Sequence, residues 1–497
     1  MKKILIVGAG PVGLMIGCYL NKYNIDFDII DKNIESTTYS KALTVSPTTI
    51  KAFHGLNLSE KLIKKGRKVD SVYVYYKNTK CLHINNKYIP SCYNYHISIP
   101  QPETERLLED CLYNFGHRVK RGHQLISWSQ ENGAYKTSLL NEIQQEYTLS
   151  YDFIIGADGA SSTVRELANI GFNGHDYDMH FIMADVFFDN KMSLPETSYH
   201  IDESGFLIFL PMSGNMVRIV IKKDGKLPSP RPVPGIKEIN HYLSRYYNKI
   251  GKANDLLWSS SANFYNRIAD INYKENVFLA GDSFHLFSPI GGQGMNTGIQ
   301  DAINLSWKLA FYIKGVATEN LLSTYSFQRF TAVKRVLNST DHDTGLIAGI
   351  LPKKSIDAIY YPEYCNRNSY RHILPLKYAG FTATQESEPD SGMAGHHVPY
   401  FNFSSNNYGF KNTYDAFTTG KVIIFSTKKE STSFLSALND SFFMFCHIEK
   451  ADVDFIKLLN IKSNEYAVLN PDGYIGFTGN KTELSNYLSF LYGQKLL

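Results

Sequence analysis

Apolar and polar positions at the start of the chain follow the pattern of a strand, a helix and a second strand. Residues Lys2 to Val7 are predicted to form a fully buried parallel strand, because apolar residues follow one another without alternation. A helix is predicted from the turn that follows to about Lys22. The second buried strand is Phe27 to Ile30, and Asp31 comes directly after it. The pattern therefore predicts a parallel βαβ unit.

The turn between the first strand and the helix carries three glycines at GxGxxG spacing. Gly8 is expected to make the tight turn, Gly10 to let backbone amides approach a pyrophosphate, and Gly13 to let helix and strand pack closely. Asp31 follows the third glycine by 18 positions, near the spacing of a carboxylate that binds a ribose. The unit is therefore predicted to bind a dinucleotide, with a glycine turn in some other α/β protein as the alternative.

The middle of the chain changes to alternating apolar and polar residues, which is typical of strands. From about Asp176 to Lys274 the sequence is rich in such runs, including Ser204 to Pro211 and Met216 to Lys222. This segment is predicted to form a second layer that carries a substrate pocket. A helical spacing of apolar residues then returns the chain to the first domain, at Ile299, Ile303, Trp307 and Ala310.

The carboxyl-terminal part of the chain is predicted to form a third domain. A polar run from Thr382 to Gly395 indicates a linker before it, and a helix from Thr482 to Tyr492 closes it. Its predicted strands are Lys421 to Ser426, Ser441 to Cys446 and Glu465 to Leu469.

Composition and charge exclude several classes of protein. Of 497 residues, 43% are hydrophobic and 20% are charged, and the net charge is only +4, so no nucleic-acid-binding stripe is indicated. The six cysteines form no CxxC pair and no metal-ligand spacing, which favours a reducing cytoplasm and no metal site. Met1 to Leu20 superficially resembles a secretory signal, but the glycine turn lies inside it. We therefore expect an uncleaved cytoplasmic protein without a membrane span.

Two further motifs place an aspartate at the carboxyl end of a strand. Residues 151–165, YDFIIGADGASSTVR, contain a buried strand that ends in Gly156 and is followed by Asp158. Residues 277–310, VFLAGDSFHLFSPIGGQGMNTGIQDAINLSWKLA, contain a strand that ends in Gly281 and Asp282. Ligands of open α/β sheets bind at this edge. Both aspartates are therefore candidates for contact with the ligand.

The loop from Pro289 to Asn296 is predicted to favour negative charge. Gly291, Gly292 and Gly294 expose backbone amides, and a helix is predicted to begin near Met295. Such a loop stabilises an anionic group without a charged side chain. A flexible surface loop is the alternative.

The three motifs together resemble those of the group A flavoprotein aromatic monooxygenases, which have the fold of para-hydroxybenzoate hydroxylase and phenol hydroxylase. The resemblance lies in GAGPVG, GADGASSTVR, and GDSFH with PIGGQGMNTG, and it covers roughly residues 1–375. Within the family the chain looks closest to polyketide-tailoring and antibiotic-modifying hydroxylases, which also carry a thioredoxin-like C-terminal domain without redox cysteines. Residues 467–477, AVLNPDGYIGF, resemble the end of that domain, although the family usually has an arginine near Asn470.

The resemblance implies the fold class and its division into domains. It predicts an α/β chain whose FAD-binding domain, of the GR2-like Rossmann type, comprises residues 1–175 and 276–380 with connecting helices. A β-rich substrate domain is inserted at residues 176–275, and a thioredoxin-like domain follows at residues 396–497. Because that last domain has no CxxC motif, structural padding or an oligomer contact, such as a homodimer, is its expected role.

The resemblance also implies which residues contact FAD. The implied contacts in the N-terminal half of the site are Gly8, Gly10, Val12 and Gly13 in the glycine turn, Asp31 at the adenosine ribose, and Lys41 where the family has an arginine. Further implied contacts are Gln101 and Arg106 near the cofactor, the backbone near Leu125 at the adenine, and Asp158 in the motif shared by FAD and NAD(P)H binding. The flavin half is implied to contact Asp282 at the ribityl chain, and Pro289, Gly292, Gly294, Met295 and Asn296 around the isoalloxazine. Lysine lacks the planar fork of arginine, so a looser contact is expected at position 41. His285 is expected to be structural.

The activity implied by the resemblance is an FAD-dependent monooxygenase that consumes NAD(P)H. It would insert one oxygen atom from O2 into an aromatic or polyketide-like small molecule, most simply by hydroxylation. No second GxGxxG unit is present, which suits a nicotinamide coenzyme that binds transiently. No catalytic residue is identified, and His200, Tyr199 and Arg218 are candidates for the pocket.

Several alternatives to aromatic hydroxylation remain. Antibiotic inactivation of the tetracycline or rifamycin type and Baeyer–Villiger oxygenation are the nearest. A flavin halogenase is disfavoured because none of the tryptophans, Trp128, Trp258 and Trp307, lies in a WxWxIP motif. A non-oxygenating flavoprotein and a non-enzymatic escort protein are less favoured, because the GGQG loop is intact.

Overall fold

The N-terminal glycine turn has the local structure that its sequence predicts. The chain leaves the buried strand through Gly8, whose backbone φ of +104° is a conformation that residues with a side chain rarely adopt. Pro11 occupies the first position of the next helix, where its missing N–H costs no hydrogen bond. A side chain at Gly13 would collide with the carbonyl oxygen of Gly8, so this position allows the helix to pack against the turn.

A computed structural model describes residues 2–36, 42–89, 91–188, 196–203, 205–246, 251–347, 393–404, 406–430 and 438–493. The elements up to residue 156 are β1 (Ile4–Val7), α1 (Pro11–Lys22), β2 (Phe27–Asp31), β3 (Thr44–Val45), α2 (Pro47–His54), α3 (Ser59–Lys65), β4 (Arg67–Val69), β5 (Ser71–Tyr76), β6 (Thr79–Asn85), β7 (His96–Ser98), α4 (Gln101–Asn114), β8 (Val119–Arg121), β9 (Gln124–Glu131), β10 (Ala134–Leu140), β11 (Glu146–Tyr151) and β12 (Phe153–Gly156). The elements of the middle segment are α5 (Thr163–Leu167), β13 (Phe172–Phe187), β14 (Thr197–Asp202), β15 (Gly205–Pro211), β16 (Met216–Asp224), α6 (Ile236–Tyr246), β17 (Asp255–Ala269), β18 (Tyr273–Lys274), β19 (Val277–Leu279), β20 (His285–Leu286), α7 (Gln293–Ile313) and α8 (Glu319–Ile347). The elements of the carboxyl-terminal segment are α9 (Asp415–Thr418), β21 (Val422–Ser426), β22 (Phe443–His447), α10 (Val453–Leu459), β23 (Tyr466–Leu469), β24 (Ile475–Gly479) and α11 (Lys481–Tyr492).

The first sheet has six strands in the order β18-β19-β12-β1-β2-β8. The strands β19, β12, β1, β2 and β8 are mutually parallel, and only β18 runs antiparallel. The strand order changes direction at β1, because β2 follows it on one side and the later strand β12 lies on its other side, and ligands of such folds bind at this point. The predicted βαβ unit is confirmed.

The second sheet has eight strands in the order β20-β17-β13-β16-β15-β14-β5-β6. All its neighbours are antiparallel except β14 and β5, which are parallel. The predicted strands from 204 and 216 are confirmed as β15 and β16, although residue 204 lies outside the described residues. The strands β5 and β6 come from residues 71–85, which the sequence analysis did not assign to this layer.

Side chains of the second sheet alternate between two environments. On one face, Ile182, Phe209 and Ile219 form a buried core with Ile239 and Leu243 of α6. The other face points toward the first sheet. Because side chains alternate along a strand, neighbouring residues in the same strand have different roles.

The carboxyl-terminal segment forms a four-stranded sheet in the order β22-β21-β23-β24. The pair β21 and β22 is parallel, and the other pairs are antiparallel. The three predicted strands and the closing helix are confirmed, with boundaries shifted by one or two residues. The thioredoxin-like character of this unit and the three domain boundaries stay predictions. Residues 382–392 of the predicted linker lie outside the described residues.

Candidate functional site

A large cavity lies between the carboxyl edge of the first sheet and one face of the second sheet. Its volume is about 1160 Å³. The walls contributed by the first sheet are the N-terminal turn and the ends of β2, β12 and β19. The glycine loop before α7 and the apolar face of the second sheet complete it. The three sequence motifs therefore converge on one cavity.

The N-terminal turn contributes Gly8, Gly10 and Val12 to the cavity wall. A Cβ at Gly10 would meet no other atom within 4 Å in the described structure. Gly13 does not line the cavity, because it packs against the backbone of Gly8. Gly13 therefore has a packing role here, and its predicted contact with the cofactor stays a prediction.

Asp31 lies at the end of β2 and lines the cavity. Its carboxylate accepts hydrogen bonds from the backbone N–H of Ala9 and of Asn33, both at 2.8 Å. These two bonds fix the carboxylate beside the glycine turn. Leu125, predicted at the adenine, also lines the cavity.

The amino-terminal end of α4 contributes two polar side chains to the cavity. The Gln101 amide accepts a hydrogen bond from the Ala42 N–H at 2.9 Å and donates one to Glu105 at 2.8 Å. Glu105 was missed by the sequence analysis, although its spacing of four residues from Gln101 places both on one helix face. Burial raises the pKa of the Glu105 carboxyl, and the nearby Asp31 adds to this effect.

The predicted cofactor contacts of Arg106 and Lys41 are not decided by the lining of the cavity and stay predictions. Arg106 does not line it, because its side chain is 62% exposed and pairs with Glu103 at 2.7 Å. Position 106 points away from the helix face that carries Gln101 and Glu105. Lys41 lies outside the described residues.

Asp158 and Asp282 both line the cavity, at the ends of β12 and β19. The Asp158 carboxylate also accepts hydrogen bonds from the Ser162 hydroxyl and from the Val164 N–H, so it stabilises the start of α5. Burial raises the pKa of Asp158. The Arg165 guanidinium donates to the carbonyl of Ser283 at 2.9 Å and so connects the two strand ends.

The glycine loop leads directly into α7. Gly291 and Gly292 have backbone φ values of +84° and +64°, and no side chain of the described residues caps the helix. The first N–H groups of α7 are therefore available to an anionic ligand. Pro289, Gly292, Gly294 and Met295 line the cavity.

Asn296 does not line the cavity but holds the glycine loop in place. Its side-chain amide donates to the carbonyls of Thr44 at 2.8 Å and Gly292 at 2.7 Å. Its oxygen accepts from the Ser46 N–H at 2.9 Å and the Thr49 hydroxyl at 2.7 Å. The side chain of Asn296 thus supports the loop, and the predicted cofactor contact of this residue stays a prediction.

Two of the three pocket candidates face the cavity. Tyr199 and Arg218 line it, whereas His200 points to the other face of β14. The His200 ring stacks on Tyr75 at 4.8 Å and its Nε2 lies 2.9 Å from the Ser198 hydroxyl. His200 therefore lies on the face of the sheet that points away from the cavity. The alternation of strand residues explains the difference between positions 199 and 200.

Tyr199 lies where the second sheet meets the glycine loop. Burial raises the pKa of its phenol to about 12, although a hydrogen bond with the backbone of Gly291 lowers it in part. Its hydroxyl is therefore protonated at neutral pH. Tyr199 can position the loop and can offer a hydrogen bond beside it.

Arg218 lies in the apolar face of the second sheet, in β16. Its Nε and Nη2 atoms each donate to Asp185 at 2.7 Å, and both side chains are buried. The Nη1 atom is also buried and has no hydrogen-bond partner among the described residues. The Trp258 ring lies 5.4 Å from the guanidinium.

These features fit FAD, an elongated dinucleotide with a flavin at one end. The glycine turn leaves space beside the backbone for a pyrophosphate, and Asp31 and Glu105 are placed for a ribose. The uncapped start of α7 suits the electron-rich end of a flavin.

The comparison with protein families decides the class of the cofactor site. A model described as an FAD-binding domain matches residues 1–340. The chain belongs to this FAD-binding family. The predicted cofactor FAD and the predicted monooxygenase class are confirmed at the level of the family. Among the described residues of this FAD-binding chain, no helix is long and apolar enough to cross a membrane.

Relatives of the FAD-binding chain are named as monooxygenases. An uncharacterized aromatic compound monooxygenase of Bacillus subtilis, YhjG, is 29% identical over 86% of this chain and 85% of that protein. The 6-methylpretetramide 4-monooxygenase of Streptomyces rimosus is 31% identical over 70% of this chain, a match that spans 62% of the relative. The anhydrotetracycline hydroxylase OxyS of Streptomyces rimosus has a similar fold, with a TM-score of 0.81, 23% identity and 99% coverage of both chains.

Proposed function

We propose that the protein hydroxylates an electron-rich aromatic or polyketide-like molecule that carries an ionised oxygen. The overall reaction converts the substrate, O2, NAD(P)H and a proton into the hydroxylated product, water and NAD(P)⁺. Bound FAD would supply electron transfer and oxygen activation, while the protein binds, orients and excludes water. A homodimer in the cytoplasm is part of the same proposal, and sedimentation analysis of the purified protein measures the oligomeric state.

The observation that carries the proposal is the unpaired donor of Arg218. A buried donor without an acceptor is uncommon in a folded protein, so a ligand oxygen is the expected partner of Nη1. A phenolate or enolate oxygen would form a charge-assisted hydrogen bond there. Asp185 accepts from Nε and Nη2 and so holds the guanidinium in one orientation, which leaves Nη1 without a partner among the described residues.

The rest of the cavity wall supports an aromatic ligand. Ile208 and Val220, which pair with each other next to Arg218, provide apolar surface, and Trp258 provides an aromatic wall. The cavity volume of about 1160 Å³ exceeds that of a usual small-molecule pocket. We infer that it accommodates a multi-ring substrate in addition to the cofactor.

The names of the relatives guide the choice of substrates. They include a 6-methylpretetramide 4-monooxygenase, a pentachlorophenol 4-monooxygenase and a rifampicin monooxygenase. A test panel therefore contains simple phenols, tetracycline precursors, tetracyclines and rifamycins. Each phenol is paired with its O-methyl ether, which has a similar shape but lacks the ionisable oxygen.

The test uses the FAD-loaded protein and measures NADPH oxidation and product mass. We expect a phenol or enol of the panel to accelerate NADPH oxidation and to gain one oxygen atom, which ¹⁸O2 labels. Its O-methyl ether should react much more slowly. A flavin-loaded protein that oxidises no NADPH and oxygenates nothing in the panel contradicts the proposal.

A pair of variants tests the role assigned to Arg218. Arg218→Met alone leaves Asp185 buried without a partner, so the double variant D185L/R218M is used to preserve the fold. We expect the KM for the phenol to rise about tenfold or more, which is the size of one buried charge-assisted hydrogen bond. The control is Arg267→Met, because Arg267 pairs with Asp176 in the same sheet, is more exposed and does not line the cavity. Equal KM values in both variants would show that Arg218 does not bind the substrate.

A further inference from the structure

Asp301 is a buried carboxylate in α7 that binds three donors from two other segments, the GDSFH turn and α8. Its Oδ2 accepts from the Gly281 N–H at 3.0 Å and from His285 Nε2 at 2.6 Å. Its Oδ1 accepts from Arg329 Nε, in α8, at 2.6 Å. Asp301 does not line the cavity, so the cofactor site described above does not explain it.

The charge of Asp301 is maintained by its partners. Asp301, His285 and Arg329 are all almost fully buried. Burial alone would raise the pKa of the Asp301 carboxyl, but Arg329 and His285 together lower it below its ordinary value. A buried ion pair contributes little net stability compared with apolar residues, so its presence here calls for another role.

The Gly281 N–H bond fixes the turn that carries Asp282. Gly281 has a backbone φ of +63°, and the next residue, Asp282, lines the cavity. A Cβ on Gly298 of α7 would lie 3.1 Å from the Cα of Gly281, so the helix and the turn are in close contact. The position of Asp282 therefore depends on how α7 holds this turn.

Arg329 extends the same contact to the amino-terminal part of α7. Its Nη2 donates to the carbonyl of Thr297 at 3.2 Å, while its Nε binds Asp301. The segment between Gly292 and Thr297 includes the cavity-lining start of the helix. Asp301 thus connects two cavity-lining elements, the turn that carries Asp282 and the start of α7, which the family resemblance assigns to the ribityl chain and the isoalloxazine of FAD.

We propose that Asp301 is a positioning residue for FAD. Through Gly281 it fixes the Asp282 carboxylate, and through Arg329 it fixes the start of α7 relative to that carboxylate. His285 Nε2 donates the second hydrogen bond to the Oδ2 atom of Asp301. The inference rests on cofactor binding and does not depend on the identity of the substrate.

Asp301→Asn is an informative change because no orientation of an amide satisfies all three donors. If the amide oxygen faces Gly281 and His285, the NH2 group faces the N–H of Arg329. If the oxygen faces Arg329, the NH2 group faces the N–H of Gly281. Either orientation places two donors against each other in a buried site, so the turn or the helix must shift.

The measurements are the Kd for FAD and the visible circular dichroism of the bound flavin. We expect Asp301→Asn to raise the Kd for FAD about tenfold or more and to change the flavin spectrum. The matched control is Asp452→Asn, because Asp452 is also buried and accepts a backbone N–H, from Ser404, and a hydroxyl, from Tyr408. It should lower the Tm but leave the Kd and spectrum unchanged.

A second pair of variants keeps the test decisive if Asp301→Asn fails to fold. His285→Leu removes the donor to Asp301, whereas His285→Gln retains an N–H that can reach the same oxygen. We expect the leucine variant to raise the Kd for FAD and the glutamine variant to restore most of the affinity. Wild-type affinity and spectrum in Asp301→Asn, or in both His285 variants, would overturn the proposal. An equal loss of affinity in Asp452→Asn would also overturn it.

Discussion

Gly10 and Gly13 belong to the same motif but have different surroundings. A side chain at Gly13 would collide with the backbone of Gly8, whereas a side chain at Gly10 would enter open space in the cavity. The motif therefore combines one residue that allows packing with one that leaves room for the cofactor.

Alanine at these two positions should separate folding from cofactor binding. We expect Gly13→Ala to lower the free energy of unfolding of the apoprotein by about 1–3 kcal/mol, as overpacking usually does. Gly10→Ala should leave that energy nearly unchanged, because its backbone φ of −74° suits alanine, but should weaken FAD binding. Chemical denaturation of the apoprotein and FAD titration measure the two effects. Similar losses of stability in both variants would contradict this division.

Sequence patterns predicted the glycine turn and the two later aspartates because the chemistry of these sites is local. Positions 199 and 200 could not be distinguished in this way, because the cavity face of β14 depends on its pairing with distant strands. The direction in which Arg106 points could not be predicted for a related reason, since only the orientation of α4 decides which of its faces meets the cavity. The role of Asp301 could not be predicted either, because only the packing of α7 against α8 and against the GDSFH turn brings its partners together.

Helix α7 joins the glycine loop to the carboxyl-terminal segment. Lys308, in its fifth turn, is buried and donates to Asn304 at 2.8 Å and to Gln328 at 2.6 Å. Asn304 in turn donates to Asp472, in the turn between β23 and β24, at 2.7 Å. One helix therefore contacts the cofactor site at its start and the carboxyl-terminal sheet further along.

Stability should rise with pH because of Lys308. Burial lowers its pKa in the folded chain to about 7, from 10.5. Between these values the unfolded chain binds more protons, so the free energy of unfolding increases with pH, by at most about 1.4 kcal/mol per pH unit for one group. We expect the free energy of unfolding of Lys308→Met to rise less steeply with pH than that of the wild type between pH 7 and about 8.5. The range ends there because cysteine thiols ionise at higher pH. Denaturation at several pH values measures this dependence.

The control for this pH dependence is Lys457→Met. Lys457 is 73% exposed, so its removal should leave the wild-type slope intact. A wild-type slope in Lys308→Met would show that Lys308 is charged in the folded chain.

The sequence predicted whether a segment is a strand more reliably than it predicted which strands pair with each other. The strands β15, β16 and β21 follow from local alternation or apolar runs. The strands β5 and β6 were assigned to no layer, because their inclusion in the second sheet depends on a parallel pairing with β14 across more than a hundred positions. Nothing in a local pattern encodes such a pairing.

The carboxyl-terminal segment shares a hydrophobic core with the FAD-binding part. Trp307 and Phe311 of α7 pack with Val422, Ile424 and Tyr466 of the four-stranded sheet in one cluster. Trp307 is fully buried there. We therefore expect these two parts to lose their structure in one step, because they share this cluster within the described residues.

Denaturation of the holoprotein tests this shared core. We expect the transitions followed by flavin fluorescence and by far-UV circular dichroism to coincide. Trp307→Ala should shift both together and lower the free energy of unfolding by about 3–5 kcal/mol, as other buried aromatic truncations do. Flavin release well before the loss of secondary structure would show that the two parts unfold independently.

The alternation of side chains in the second sheet has a consequence for how such a protein can diversify. Val72, Ile208, Leu210 and Val220 face the cavity, while their neighbours in the same strands face the core under α6 or the opposite surface. Variation at the cavity-facing positions alters the shape offered to a ligand without opening a void in that core. A combinatorial library restricted to these four positions should therefore yield mostly folded, flavin-containing proteins, with new selectivities among them.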